Sequence, residues 1–144
     1  MTHEDAGHYA AKHPEGTIDP DIEKMIVSRA KTGRISCAAA HLIANERGCP
    51  PRTIGINIDL LEMRIHKCQL GLFGYGKEKN KAVEAAKDVQ NELKVAIREV
   101  VVGHHISCEN VWRVAKKMER RKMEVAAACE FLGIKVKPCQ LGAF

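Results

Sequence analysis

The chain has 144 residues, 45% of them apolar and 4% aromatic, with 28% charged and a formal net charge of +5. That length suits one domain or two very small ones around an aliphatic core, and no apolar run approaches the roughly 20 residues of a membrane helix. The opening MTHEDAGHYAAKHPEG is polar and contains acids, unlike a secretory signal. A cytoplasmic protein with no membrane partner is the expectation, and its six cysteines read as thiols or ligands rather than disulfides.

Residues 1–18, with one Lys and three acids, read as a flexible leader in which His3, His8 and His13 are incidental. DPDIEKMIVSRAKTG (19–33) begins with acids and ends with bases, which suits the helix macrodipole, and Gly33 is a fitting stop. RIS (34–36) is a short extended piece, and Ser36 stands where an N-cap belongs. A second helix follows from about Cys37 to Glu46, broken by GCPP (48–51), and a third from about Pro51 to Glu62. RIHKCQLGLF loses helical phase and reads as a strand running into a turn at GYG (74–76). KEKNKAVEAAKDVQNELKVAIREVVV (77–102) places Val83, Ala86, Val89, Leu93, Ile97 and Val100 three or four apart. That spacing predicts one long helix of nearly 40 Å at about 1.5 Å per residue, able to brace two units or to zip a homodimer.

Shifting the chain by 71 residues lays Ile35–Phe73 on Ile106–Phe144 without a gap, with 10 of 39 pairs identical. The identities include Ser36/Ser107, Cys37/Cys108 and the closing HKCQLGLF against KPCQLGAF. The chain is therefore a duplication. It divides into the leader 1–18, a first unit 19–73, a linker with the start of the long helix 74–89, and a second unit 90–144. A unit of about 55 residues is marginal alone, so the copies are expected to pack together in a pseudo-two-fold arrangement.

Helix, short strand, helix, tight turn, helix, strand is an order that resembles the winged helix-turn-helix class, each copy with a truncated wing and ending in C-Q-L-G-x-F. The likeness rests on GRISCAAAHLIANERGCPPRTIGINIDLLEMRI (33–65) and HHISCENVWRVAKKMERRKMEVAAACEFLGIKV (104–136). Two departures are plain: Glu119 stands where the first copy has Gly48, and no second strand follows CQLG. The resemblance implies a mainly α fold, two tandem three-helix units with short two-strand β pieces, and a third helix whose outward residues meet base edges in double-stranded DNA. In the first copy these are Arg52, Thr53, Ile56 and Asn57, of which Arg suits guanine and Asn adenine. The second copy has Met123, Glu124, Ala127 and Ala128 there, a poor reading head. It offers instead RVAKKMERRK (113–122), six bases and one acid. Arg113, Lys116, Lys117, Arg120, Arg121 and Lys122 suit phosphates.

The cysteines leave two readings open. Cys37/Cys108 and Cys68/Cys139 recur, each pair brought close if the short strands flanking the helices pair. They serve either as small buried hydrophobes or as a thiol switch or metal site. Cys37, His41, His66 and Cys68 have the donor types of a zinc or iron site, whereas the second copy replaces the histidines by Trp112 and Lys137. Cys49 and Cys129 read as packing residues, and His104 and His105 have no assigned role. No phosphate loop, nucleophile elbow or metalloprotease motif is present, and GLFGYGK (71–77) lacks the Walker spacing. The sequence thus points to a DNA-binding, transcription-regulatory protein without catalysis or an obligatory cofactor. The alternative is a protein-interaction or assembly module on the same fold, with a cysteine-based sensing site.

Overall fold

The structure, a computed structural model, describes residues 8–75 and 81–144. It is mainly helical, with two short parallel sheets. The first half holds α1 (Pro20–Arg29), β1 (Arg34–Ser36), α2 (Cys37–Arg47), α3 (Pro51–Leu60) and β2 (Arg64–His66). The second holds α4 (Asn91–Val100), β3 (His105–Ile106), α5 (Cys108–Met118), α6 (Lys122–Phe131) and β4 (Lys135–Val136). Every element of the second half starts 71 residues after its counterpart, so the duplication extends to the backbone.

Local chemistry sets the element boundaries. Asp19 caps α1, its carboxylate accepting from the N–H groups of Asp21 at 2.9 Å and Ile22 at 3.2 Å, and Pro20 occupies the first turn. Ser36 and Ser107 cap α2 and α5 identically, each hydroxyl accepting from the N–H three residues on at 3.1 Å. Gly48 ends α2 in the left-handed region at φ 62°. Glu119 ends α5 in the same conformation at φ 54°, without the freedom of glycine. In each half the strand before the helical hairpin pairs in parallel with the strand after it, Ile35 beside Ile65 and Ile106 beside Val136. Parallel pairing needs a crossover, which the two helices supply.

The chain divides into two compact units whose boundaries differ from those of the repeats. Unit 1 is Met1–Cys68 with Leu141–Phe144, and unit 2 is Gln69–Gln140. The first repeat thus gives its closing segment to unit 2, and the second gives its own to unit 1. In unit 1, Leu141 is 1% exposed and its carbonyl oxygen lies 1.8 Å from where a Cβ on Gly55 would stand, so only glycine lets the tail lie on α3. Gly142 packs on Arg52 of the same helix. In unit 2, Leu70 is fully buried and Gly71 packs against Met123 of α6, the counterpart of Arg52. The core of unit 1 is Ile22, Ile26, Ile35, Ile43, Ile54 and Ile58, and that of unit 2 includes Leu93, Ile97, Ile106, Val111 and Val125. Each such side chain contributes about 1.5–3 kcal/mol by leaving water.

A second strip of chain runs over each third helix. A 3-10 turn at Tyr9–Lys12 places the N–H groups of Tyr9 and Ala10 on the Glu62 carboxylate at 3.0 and 2.8 Å, and Tyr9 is buried. His13, incidental in the sequence, reaches Asp59 at 2.8 Å. In unit 2, residues 81–90 take this place. They are not helical: α4 begins only at Asn91, which corrects the long helix expected over 77–102. The N–H groups of Ala82 and Val83 donate to the Gly71 carbonyl and that of Ala86 to the Ala127 carbonyl. Tertiary bonds thus override a strong helical propensity. Val83 and Val89 are still buried, so the apolar positions of the pattern serve packing without the helix. The rod through which a homodimer was to zip is therefore ten residues long. Residues 1–7, including His3, and residues 76–80, with the end of GYG and the start of the expected long helix, lie outside the described residues.

Candidate functional site

Tail and strip together decide what α3 can do. Ile54, Gly55, Asn57, Ile58 and Asp59 are buried, and Arg52 alone on this helix is exposed. Of the residues expected to read bases, Thr53 and Ile56 are half-buried, and Arg52 lies against the tail glycine. Asn57 is 5% exposed: its amide nitrogen donates to the Thr53 carbonyl at 2.9 Å and its oxygen accepts from the Asp19 N–H at 2.9 Å. The outward-facing third helix is thereby corrected for unit 1, because the exchanged tail and the leader occupy the faces a groove would need. Asp59 was not singled out in the sequence. It is 1% exposed, and one oxygen meets His13 Nε2 at 2.8 Å and Lys12 Nζ at 3.2 Å, which anchors the leader.

Unit 2 gathers the expected basic residues on one corner. On α5, Val111, Val114 and Ala115 face the core, so Glu109, Arg113, Lys116 and Lys117 fall on the outer face. The left-handed turn at Glu119 then brings Arg120, Arg121 and Lys122 round to the same side at the start of α6. Between them lies an open cleft of about 850 Å³, lined by Trp112, Arg113, Lys116, Arg120, Arg121 and Lys122. Gln69 and Gln140, the equivalent glutamines of the two CQLG segments, line it as well. Lys122 Nζ stands 4.1 Å from the centroid of the Trp112 ring and donates to the Gln69 carboxamide oxygen at 3.1 Å.

Carboxylates at the rim offset part of this charge. Arg113 pairs with Glu109 at 2.7 Å, Arg121 with Glu124 at 2.7 Å and Lys117 with Glu99 at 3.6 Å, while Arg120 reaches Glu124 at 3.8 Å and donates to Gln90. The hydrogen bond from Arg121, with the charges of Arg121 and Arg120, holds the Glu124 carboxyl below its usual range. Exposed pairs of this kind are weakened by solvent and salt screening and yield to a stronger anion. Lys116 has no ion pair among the described residues.

Cys37, His41 and Cys68 are buried and His66 is half-buried beside Ser36 in the sheet register. Among the described residues no three His, Cys, Asp or Glu side chains are placed to hold one ion. In unit 2, Cys108 is buried and accepts from Gln140 at 3.5 Å, while Cys139 is half-buried. Burial pushes the Cys129 thiol up to about 12, as befits a packing residue. Gln69, Gln140 and Trp112 are the cleft residues that sequence reasoning passed over, and the recurrence of the glutamines at 71 residues was the available signal. No family model, curated protein or solved structure matches the chain.

Proposed function

We propose that this is a nucleic-acid-binding protein that holds the phosphate backbone through the basic corner of unit 2. The observation that carries the reading is the convergence of Arg113, Lys116, Arg120, Arg121 and Lys122 from α5, the turn and α6 around one cleft, with the exposed Lys117 next to Lys116 on α5. In this reading α5 and α6 are a helix-turn-helix pair used for backbone contact, and α3, covered by its own unit, reads no bases. Phosphate contacts position a protein without selecting sequence, so binding is sequence-tolerant.

The test is a salt titration of binding to mixed-sequence DNA. Five or six phosphate contacts give a slope of log K against log salt of about −4.5 to −5.5. Lys116, Lys117 and Arg121 are exposed and away from the core. Changing all three to Ala is expected to flatten the slope by about 3 while leaving the fold intact. A protein-docking role through an apolar surface predicts a shallow slope that the variant leaves unchanged, and that result refutes the proposal.

A further inference from the structure

We propose that the unit 2 cleft is a seat for an unpaired base, so that the protein prefers single-stranded over duplex nucleic acid. The inference rests on the phosphate-binding reading above and names what the same corner selects. Its basis is the juxtaposition, in one cleft of about 850 Å³, of an indole, two carboxamides and a rim of cations. A site meant only for backbone needs the cations alone. Aromatic rings take up bases once the bases are unstacked, and basic grooves track the strand that carries them. A cleft of this volume lies within the range of about 300–1,000 Å³ that holds a ligand of drug or nucleotide size.

The hydrogen-bonding pattern sharpens the assignment. Lys122 is half-buried and occupies the Gln69 oxygen, which leaves the Gln69 amide nitrogen to donate. The Gln140 nitrogen contacts Cys108 Sγ at 3.5 Å, which leaves the Gln140 oxygen to accept. A donor and an acceptor beside an indole complement the Watson–Crick edge of a base, where acceptors and donors lie next to each other. In a duplex that edge is paired and the base faces are stacked, so only an unpaired base offers both. Lys122 stands over the indole as a cationic cap, and an entering base displaces it toward the phosphates, where its charge joins Arg113, Lys116, Arg120 and Arg121.

Trp112 is the chain's one tryptophan, so its emission reports the cleft directly. The full chain is titrated with a twelve-nucleotide oligothymidylate, with the same strand annealed to its complement, and with heparin as a polyanion without bases. Binding is followed in parallel by an immobilised-ligand assay. The single strand is expected to quench Trp112 to saturation, whereas heparin and duplex bind without comparable quenching. Gln69→Ala and Gln140→Ala, at half-buried rim positions, are expected to weaken the single strand about tenfold each and leave heparin unchanged. Thermal melting of both variants at the parent temperature keeps that comparison clean. Binding of all three polyanions without quenching, or glutamine variants that bind the single strand as the parent does, overturns the base seat and leaves the phosphate reading standing. Binding of none overturns both.

Discussion

Replacing Gly55 by Ala sets two effects of opposite sign against each other. In a helix interior the change favours folding by about 1 kcal/mol, because alanine loses less conformational freedom than glycine. In unit 1 the new methyl group lands 1.8 Å from the Leu141 carbonyl oxygen and 2.7 Å from its carbonyl carbon. Both are backbone atoms, so the tail must retreat rather than a side chain rotate. Leu141 is 1% exposed where it sits, and unseating it forfeits about 1.5–3 kcal/mol. The net expectation is a loss of about 0.5–2 kcal/mol. For a urea dependence of about 2 kcal/mol per molar this lowers the unfolding midpoint by about 0.25–1 M. Equilibrium urea unfolding followed by circular dichroism measures it. Ala126, the counterpart of Gly55, supplies the control: Ala126→Gly carries the propensity penalty of about 1 kcal/mol and the loss of one buried methyl group, about 0.8 kcal/mol. A midpoint for Gly55→Ala equal to or above the parent's refutes the seating of the tail on α3.

Three further outcomes follow from positions described above. Glu119→Gly relieves a left-handed conformation worth about 1–2 kcal/mol and gives back about 0.5–1 kcal/mol of chain entropy, so a thermal melt should rise by a few degrees. Asn57→Ala leaves the half-buried Asp19 N–H without its partner, and denaturant unfolding should show a loss of about 1 kcal/mol. His66 is held below its ordinary value by burial and by the nearby charges of Lys67 and Arg34. The unfolded chain therefore takes up this proton at higher pH than the folded one, and stability falls as pH drops below about 6.5. His66→Gln should flatten that part of the stability–pH curve, with no change above neutrality.

The helix starts were legible because their causes are local. Asp19, Ser36 and Ser107 each sit beside the N–H groups they satisfy, and Pro20 and Pro51 need no donor where they stand. The parallel pairing of the short strands was foreseen as a pairing but not in its direction. Residues 81–90 were misread because apolar residues three apart, Val83, Ala86 and Val89, suit a helix but can be buried by a non-helical segment as well. Nothing local says that Leu141 seats on α3 or that Gln69 and Gln140 meet in one cleft. Those contacts depend on where the closing segments go, and a sequence pattern records that a segment is apolar without naming its receptor. The basic corner was visible as a run of letters. The indole and carboxamides that give it a chemical preference came only with three dimensions.

The exchange of closing segments also sets an order of events during synthesis. When the first repeat has left the ribosome, its α3 still lacks Leu141–Phe144. At about 5–20 residues per second, the missing strip arrives roughly 4–14 s later. Until then Gly55 and its neighbours wait as an open shelf, and the first half matures only when the last residues of the second are made.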